Sequence, residues 1–300
     1  MNVLVSGATG LVGSVLVPSL AQGGHAVSTL VRLRPVSGTR SIPWDPASGR
    51  LEPSALEGID AVVHLAGESI VGRWTQAKKQ RILISRVQGT TLLAQALGRM
   101  SRPPRVLISA SAIGYYGDRG DELLDEQSPA GQGFLPEVCR AWEAATAPAQ
   151  ICGIRVVSLR LGIVLSRRGG ALAAMLLPFQ LGLGGRLGHG RQYWSWVAID
   201  DVAGAIVHVL QTETLAGPVN VVVPNPVTNA EFTRILGRVL KRPTLIPVPK
   251  FAPRLVMGDM ADALLFASAR VVPRQLEASG YPFRFSVLED ALRFLLTTHG

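Results

Sequence analysis

The sequence predicts an α/β protein: a doubly wound parallel sheet with a smaller, discontinuous C-terminal lobe. Three observations carry this. Short apolar runs alternate with longer helical stretches from residue 2 to about residue 165, the rhythm of strand–helix–strand units. A glycine triplet joins the first run to the first helix. Beyond residue 165 the alternation loosens, and glycine and proline become frequent, which marks a change of architecture.

Val3-Leu4-Val5 reads as the first strand and Leu11 to Ala21 as the first helix. Between them, Gly7, Gly10 and Gly13 fall in a G-x-x-G-x-x-G pattern. A strand entering a helix through glycines is the setting of a dinucleotide-phosphate site of the Rossmann type. Gly7 permits the tight turn, Gly10 lets the backbone approach a pyrophosphate, and Gly13 lets helix and strand pack closely. Thr9, Leu11 and Val12 complete the loop, at a helix N-terminus with free N–H groups and a partial positive charge. A tight βα turn without a ligand is the alternative.

Ala26 to Val31 reads as the second strand, and Arg32 follows, nineteen residues after Gly13. NAD sites usually place an acid roughly 20 residues past the motif. Here Arg32, and then Arg34, stand instead, and arginine suits a 2′-phosphate. The expected cofactor is NADP(H). Asp45, after the third strand, is placed to accept from an adenine amine.

Ala61 to Ala66 is the next strand, followed by a helix from about Thr75 to Arg99. Arg105 to Ser109 is another strand, with a helix near Pro136 to Ala147, and Val156 to Leu161 another. Ile163, just beyond, is a candidate cofactor contact. Gly182 to Arg191 is a glycine-rich loop, Val219 to Val223 a late core strand, and Asn229 to Leu240 a helix before a helical tail. The nucleotide domain is therefore placed at 1–165 with 201–223 returning to it. The substrate lobe takes 166–200 and 224–300. A cleft between them, at the carboxyl ends of the strands, would hold a small-molecule substrate.

The bulk properties narrow the function classes. The net charge is +9, yet no run of Lys/Arg exceeds two and no aromatic–basic interleaving appears, so a nucleic-acid partner is not expected. With the basic residues scattered along the chain, no membrane partner is expected either, and no membrane span. The greasiest stretch, Ala171 to Leu183, is broken by Pro178 and Gly182 and falls short of ~20 residues. No secretory signal is read, because the first strand begins at residue 2. Cys139 and Cys152 make no disulfide framework, which fits a reducing, cytoplasmic setting. A homodimer is compatible with all of this. The five histidines show no metal-binding spacing, and no metal is expected.

Several stretches resemble one family. They are Trp44-Asp45-Pro46, His64-Leu65-Ala66-Gly67-Glu68, Gly72-Arg73-Trp74-Thr75, Ser85-Arg86-Val87-Gln88-Gly89-Thr90, Ser109 to Gly117 and Leu181 to Gly185. In the tail, Val248-Pro249, Arg254 to Gly258, Val272 to Leu276 and Ser279-Gly280-Tyr281 match as well. Together they resemble the extended short-chain dehydrogenase/reductases, the NAD(P)-dependent epimerase/dehydratase superfamily, and within it the atypical YfcH-type epimerase-family proteins. The tail resembles that subfamily's C-terminal domain of unknown function.

The resemblance implies acid–base chemistry on Ser, Tyr and Lys, with an Asn in support. Ser111 sits where the family's Ser would; a turn-forming serine is the other reading. The helix that should carry Tyr-x-x-x-Lys has Leu135 and Cys139 at those positions. Neither can do that work, since Leu has no proton and Cys no fixed positive charge. Arg86 replaces the Asn, and would face cofactor phosphate, an anionic substrate, or solvent. Tyr115 and Tyr116 follow Ser111 and are the candidate proton donors, or packing aromatics. A tyrosine without a neighbouring lysine donates a proton better than it removes one. Leu65, Ala66, Gly67 and Glu68 end a strand where nicotinamide ribose should lie. His64 reads as a core histidine. Arg73-Trp74, Arg191 and Tyr193 to Trp196 line a pocket or a lobe contact. Two functions stay open: an NADPH-dependent oxidoreductase that reduces a small, partly apolar carbonyl-type substrate, or an NADPH-binding sensor without catalysis.

Overall fold

The computed structural model describes residues 1–32 and 36–297; Arg34 lies outside the described residues. The central element is a seven-stranded sheet in which every pairing is parallel. Its first five strands along the chain are β1 (Asn2–Ser6), β2 (Ala26–Val31), β3 (Arg40–Pro43), β4 (Ala61–His64) and β5 (Val106–Ala112). In space the order is Gly217–Val221, Arg155–Leu161, β5, β4, β1, β2, β3. The strand order reverses between β1 and β4, which leaves a crevice at their carboxyl ends.

Side-chain alternation along each strand feeds two cores. Val3 and Val5 join Val63, Ile108 and Leu159 on one face, under the helices Gly13–Gln22 (α1) and Ile199–Gln211. Leu4 joins Val62, Leu107 and Val156 on the other, under the helix Gln76–Gly98 (α2). Burial on both faces explains the uninterrupted apolar runs in the sequence. Helix α2 starts where Thr75 accepts from the Lys78 N–H at 3.2 Å, a side-chain cap.

A third core gathers Leu165, Leu172, Phe179, Trp194, Trp196, Phe232, Leu236 and Leu292. Three short strand pairs tie the later segments to it and to the sheet. Ile163–Leu165 pairs with Trp196–Ala198, Tyr193–Trp194 with Val227–Thr228, and Leu123–Leu124 with Arg270–Val271. Helix Ile199–Gln211 and strand Gly217–Val221 return to the main sheet.

Boundaries shift slightly from the sequence expectation. α1 begins at Gly13, because Leu11 and Val12 belong to the turn. The expected helix from Pro136 to Ala147 is two helices, Phe134–Ala144 (α3) and Ala147–Ile151, the second opening with Pro148 in its first turn. Proline suits a new helical first turn and cannot donate within an old one.

Candidate functional site

The glycine loop closes as the spacing requires. A Cβ at Gly7 would lie 2.8 Å from the Leu65 carbonyl carbon, and Gly7 has φ +70°. A Cβ at Gly13 would lie 2.7 Å from Ala8 Cα. Neither position tolerates a side chain. At Gly10 the situation differs: the nearest atom is the Gly7 carbonyl oxygen at 3.2 Å, and the backbone is not left-handed. Helix α1 has no acid in its first turn and no side-chain cap, so nothing of its own offsets the partial positive charge at its N-terminus. Leu11 lies 3.3 Å from a Cβ at Gly169, so the turn after Leu165 borders the loop.

Beneath the loop, a buried polar chain joins strands to helices. Ser6 Oγ lies 2.7 Å from His64 Nδ1, and His64 Nε2 lies 3.0 Å from Thr90 Oγ1. Thr90 also accepts from the Trp142 indole N–H at 3.0 Å. Ser6 Oγ accepts from the N–H groups of Leu65 and Ala66 at 3.1 and 3.3 Å. His64 is fully buried, and that burial holds its pKa at about 4. It is a core histidine that shapes the end of β4 at Leu65 and Ala66.

Glu68 follows. Its carboxylate accepts from Lys78 Nζ at 2.8 Å, and Lys78 leads Arg81 and Arg32 in holding its pKa down. Its backbone N–H donates to Ser85 Oγ at 3.0 Å. Arg32 is exposed and electrostatically close to Glu68. Arg86 points inward, not to solvent. It donates to the carbonyls of Glu68 and Ile82 at 2.9 and 3.2 Å and lies over the Trp142 ring at 4.8 Å. Gly67 leaves room for that guanidinium, which would sit 3.3 Å from a Cβ there. Asp45 accepts from Ser48 Oγ at 2.7 Å and from the Ala47 N–H at 3.1 Å, which fixes its own turn. Ile163 is half-buried and donates its N–H to the Ser195 carbonyl at 2.8 Å.

The third part surrounds Ser111, near the end of β5. Its hydroxyl donates to Glu143 at 2.7 Å, and Glu143 pairs with Arg160 through two contacts of 2.9 Å. Arg160 donates on to the Tyr116 hydroxyl at 3.0 Å, which donates to Asn220 Oδ1 at 2.7 Å. Burial works against the Arg160 charge, and the Glu143 carboxylate more than offsets it, so the guanidinium pKa is raised. Tyr116 is fully buried, and burial pushes its hydroxyl up to about 12. That hydroxyl is taken up inside the protein. Tyr115 is half-buried, and the Arg160 guanidinium sits 3.5 Å from its ring centre.

Leu135 lies against Gly114, and Cys139 is buried with its thiol donating to the Ala112 carbonyl at 3.6 Å. Burial pushes that thiol up to about 11. Trp74, Trp194 and Trp196 are all buried and pack in cores. Of the residues singled out from sequence, the structure brings Ser111, Tyr115 and Tyr116 into one network, and Gly67, Glu68 and Arg86 into another. Glu143 and Arg160 join the first without having been named as site residues. The signal was present: Glu143 is four residues after Cys139 and eight after Leu135, on the same face of α3.

A glycine phosphate loop at the switch point of a parallel sheet, with Ser111 at the end of β5, defines a nucleotide-binding protein of the short-chain dehydrogenase/reductase kind. The chain belongs to the NAD-dependent epimerase/dehydratase family, whose model matches residues 3–223. A second model, a domain of unknown function (DUF1731), matches residues 248–295. Epimerase family protein MT2273 of Mycobacterium tuberculosis is 42% identical over 299 residues, covering 99% of this chain and 98% of its own. Human epimerase family protein SDR39U1 is 38% identical, covering 98% and 99%. A crystal structure of that human protein (isoform 2) with NADPH superposes with a TM-score of 0.88 at 37% identity, covering 98% of this chain and 99% of that one.

Proposed function

We propose that this protein binds NADPH and reduces a small, partly apolar, carbonyl-type substrate in the reducing environment of the cytoplasm. One observation carries the cofactor reading. The fold excludes a side chain outright at Gly7 and Gly13, whereas at Gly10 a Cβ would make a single tight contact, 3.2 Å from the Gly7 carbonyl oxygen. A glycine that the fold constrains less than its neighbours, at a helix N-terminus, suits an outside group that must come close to the backbone. Arg32 is the residue suited to a 2′-phosphate, and the human relative's crystal structure is one with NADPH.

NADPH, when bound, supplies the hydride. The protein's own part is to orient a carbonyl and deliver a proton. Glu143 accepts the Ser111 hydroxyl hydrogen, so the Ser111 oxygen is left as an acceptor for a hydroxyl of substrate or product, and the donor to a carbonyl oxygen has to be a different group. Tyr115 is the proton donor in this reading, because its ring is partly open to solvent and is held by Arg160, whereas the Tyr116 hydroxyl is enclosed. A second reading has its own observation: Leu135 and Cys139 fill the two helix positions at which the wider superfamily carries Tyr and Lys. That favours an NADPH sensor.

The test is NADPH oxidation followed by absorbance over a panel of aldehydes and ketones, beside calorimetric titration of NADPH. Turnover that disappears in Tyr115→Phe, with NADPH affinity unchanged, supports the reductase. Tight NADPH binding with no turnover across the panel supports the sensor. Failure to bind NADPH overturns both.

A further inference from the structure

Large exposed apolar side chains are not spread evenly over this protein. Leu177, Leu181, Leu183, Leu245, Ile246, Phe251, Leu255 and Val256 are all exposed, Leu245 to 88% and Leu255 to 81%. These two stretches of chain lie side by side. Val248 and Arg186 exchange a backbone hydrogen bond of 2.8 Å, Gly188 donates to Val248 at 2.9 Å, and a Cβ at Gly182 would lie 4.0 Å from Pro243. Helix Phe251–Met257 has no buried residue at all. Single exposed apolar residues are ordinary, but a contiguous patch marks an interaction site.

The charge beside these two stretches is mostly positive; the acids that follow the helix are Asp259 and Asp262, and Asp262 pairs with Arg254 at 2.7 Å. No Asp or Glu occurs between Glu143 and Asp200, or between Glu231 and Asp259. Arg186, Lys241, Arg242 and Lys250 are exposed there, and none has a carboxylate within ion-pair distance among the described residues. Apolar tips standing proud among unpaired cations complement an anionic lipid surface. A protein partner usually meets a flatter patch with charges of both signs. The backbone agrees: Pro243, Pro247, Pro249 and Pro253 present no N–H that would lose water at the interface.

We propose that this face of the C-terminal lobe docks the protein reversibly on anionic membrane. No helix among the described residues is long and apolar enough to cross a bilayer, and surface docking requires none. The patch also adjoins the loop that follows Glu68. Met257 packs with Ile70 and Trp74, and Arg73 lies 3.8 Å from a Cβ at Gly258.

Co-sedimentation with vesicles tests this, using pure phosphatidylcholine against an equal mixture of phosphatidylcholine and phosphatidylglycerol. The wild type should pellet with the anionic vesicles alone, and less as salt rises. Lys241→Ala with Arg242→Ala should lower the partition coefficient about thirtyfold. Phe251→Asp with Leu255→Asp should abolish pelleting while NADPH affinity, measured separately, stays the same. Wild-type protein that remains in the supernatant with anionic vesicles overturns the proposal, and that result needs no variant. So does an oligomer, seen by light scattering without lipid, that Phe251→Asp dissolves; the face would then belong to a second copy of this chain.

Discussion

At the residue scale, the proposed preference for NADPH rests on Arg32. Arg32→Ala should weaken NADPH binding by roughly 1.5–3 kcal/mol, the contribution of a charged hydrogen bond, and leave NADH almost unaffected. Calorimetry with both cofactors measures this, and equal wild-type affinities would remove the 2′-phosphate role. Glu143 and Arg160 form a buried pair, with side chains 17% and 4% exposed. Glu143→Gln leaves a buried guanidinium without its counter-charge, so it should cost roughly 3 kcal/mol in urea unfolding. Tyr116→Phe strips a partner from Asn220 and Arg160 and should lower stability by about 1–2 kcal/mol, without the loss of turnover expected of Tyr115→Phe. His64 adds a pH dependence. Burial holds its folded pKa at about 4, below the ordinary 6.5. The unfolded chain therefore takes up the proton first. The stability tied to neutral His64 is complete above 6.5 and is lost as pH falls through 6.5 toward about 4. Wild type should lose about 2 kcal/mol more than His64→Gln between about pH 7 and about pH 5.

At the element scale, the turn between β1 and α1 separates glycines needed for folding from one needed for binding. Gly10→Val should fold, since its backbone is not left-handed and only one neighbouring atom is close. It should nevertheless lose NADPH. Gly13→Val should be strongly destabilised, because its Cβ would overlap the backbone of Gly7 and Ala8. Circular dichroism and calorimetry on the two variants should give opposite patterns. If Gly10→Val bound NADPH normally, the phosphate-loop assignment would be wrong.

At the scale of the whole molecule, binding at the switch point should stabilise the entire sheet. A ligand that binds only the folded state, at about a hundredfold its dissociation constant, contributes about 2.7 kcal/mol. NADPH should therefore raise the melting temperature of the wild type by several degrees and leave that of Gly10→Val where it was. The lobe and the sheet share one network, because Asn220 holds Tyr116 on one side and donates to the Val272 carbonyl at 3.0 Å on the other.

The sheet and the strand–turn–helix at its start were legible in the sequence, because they rest on local periodicity and on turns that only glycine can make. Val3, Leu4 and Val5 announce a doubly covered strand by composition alone, and Gly7 and Gly13 announce a close approach by spacing. The network around Ser111 was legible only in part: the helical spacing puts Glu143 on the face of Leu135 and Cys139, but nothing local couples it to Ser111 or Arg160. Glu143 and Arg160 lie 32 and 49 positions beyond Ser111, and only the parallel pairing of Ser111 with Arg160 across neighbouring strands brings them together. The fate of Tyr115 and Tyr116 was decided there too. The two are adjacent in sequence and alike in chemistry, yet one ring stays half-open and the other hydroxyl is enclosed. Side chains at consecutive positions leave the backbone in different directions, and which direction meets solvent depends on what the rest of the chain has packed against it.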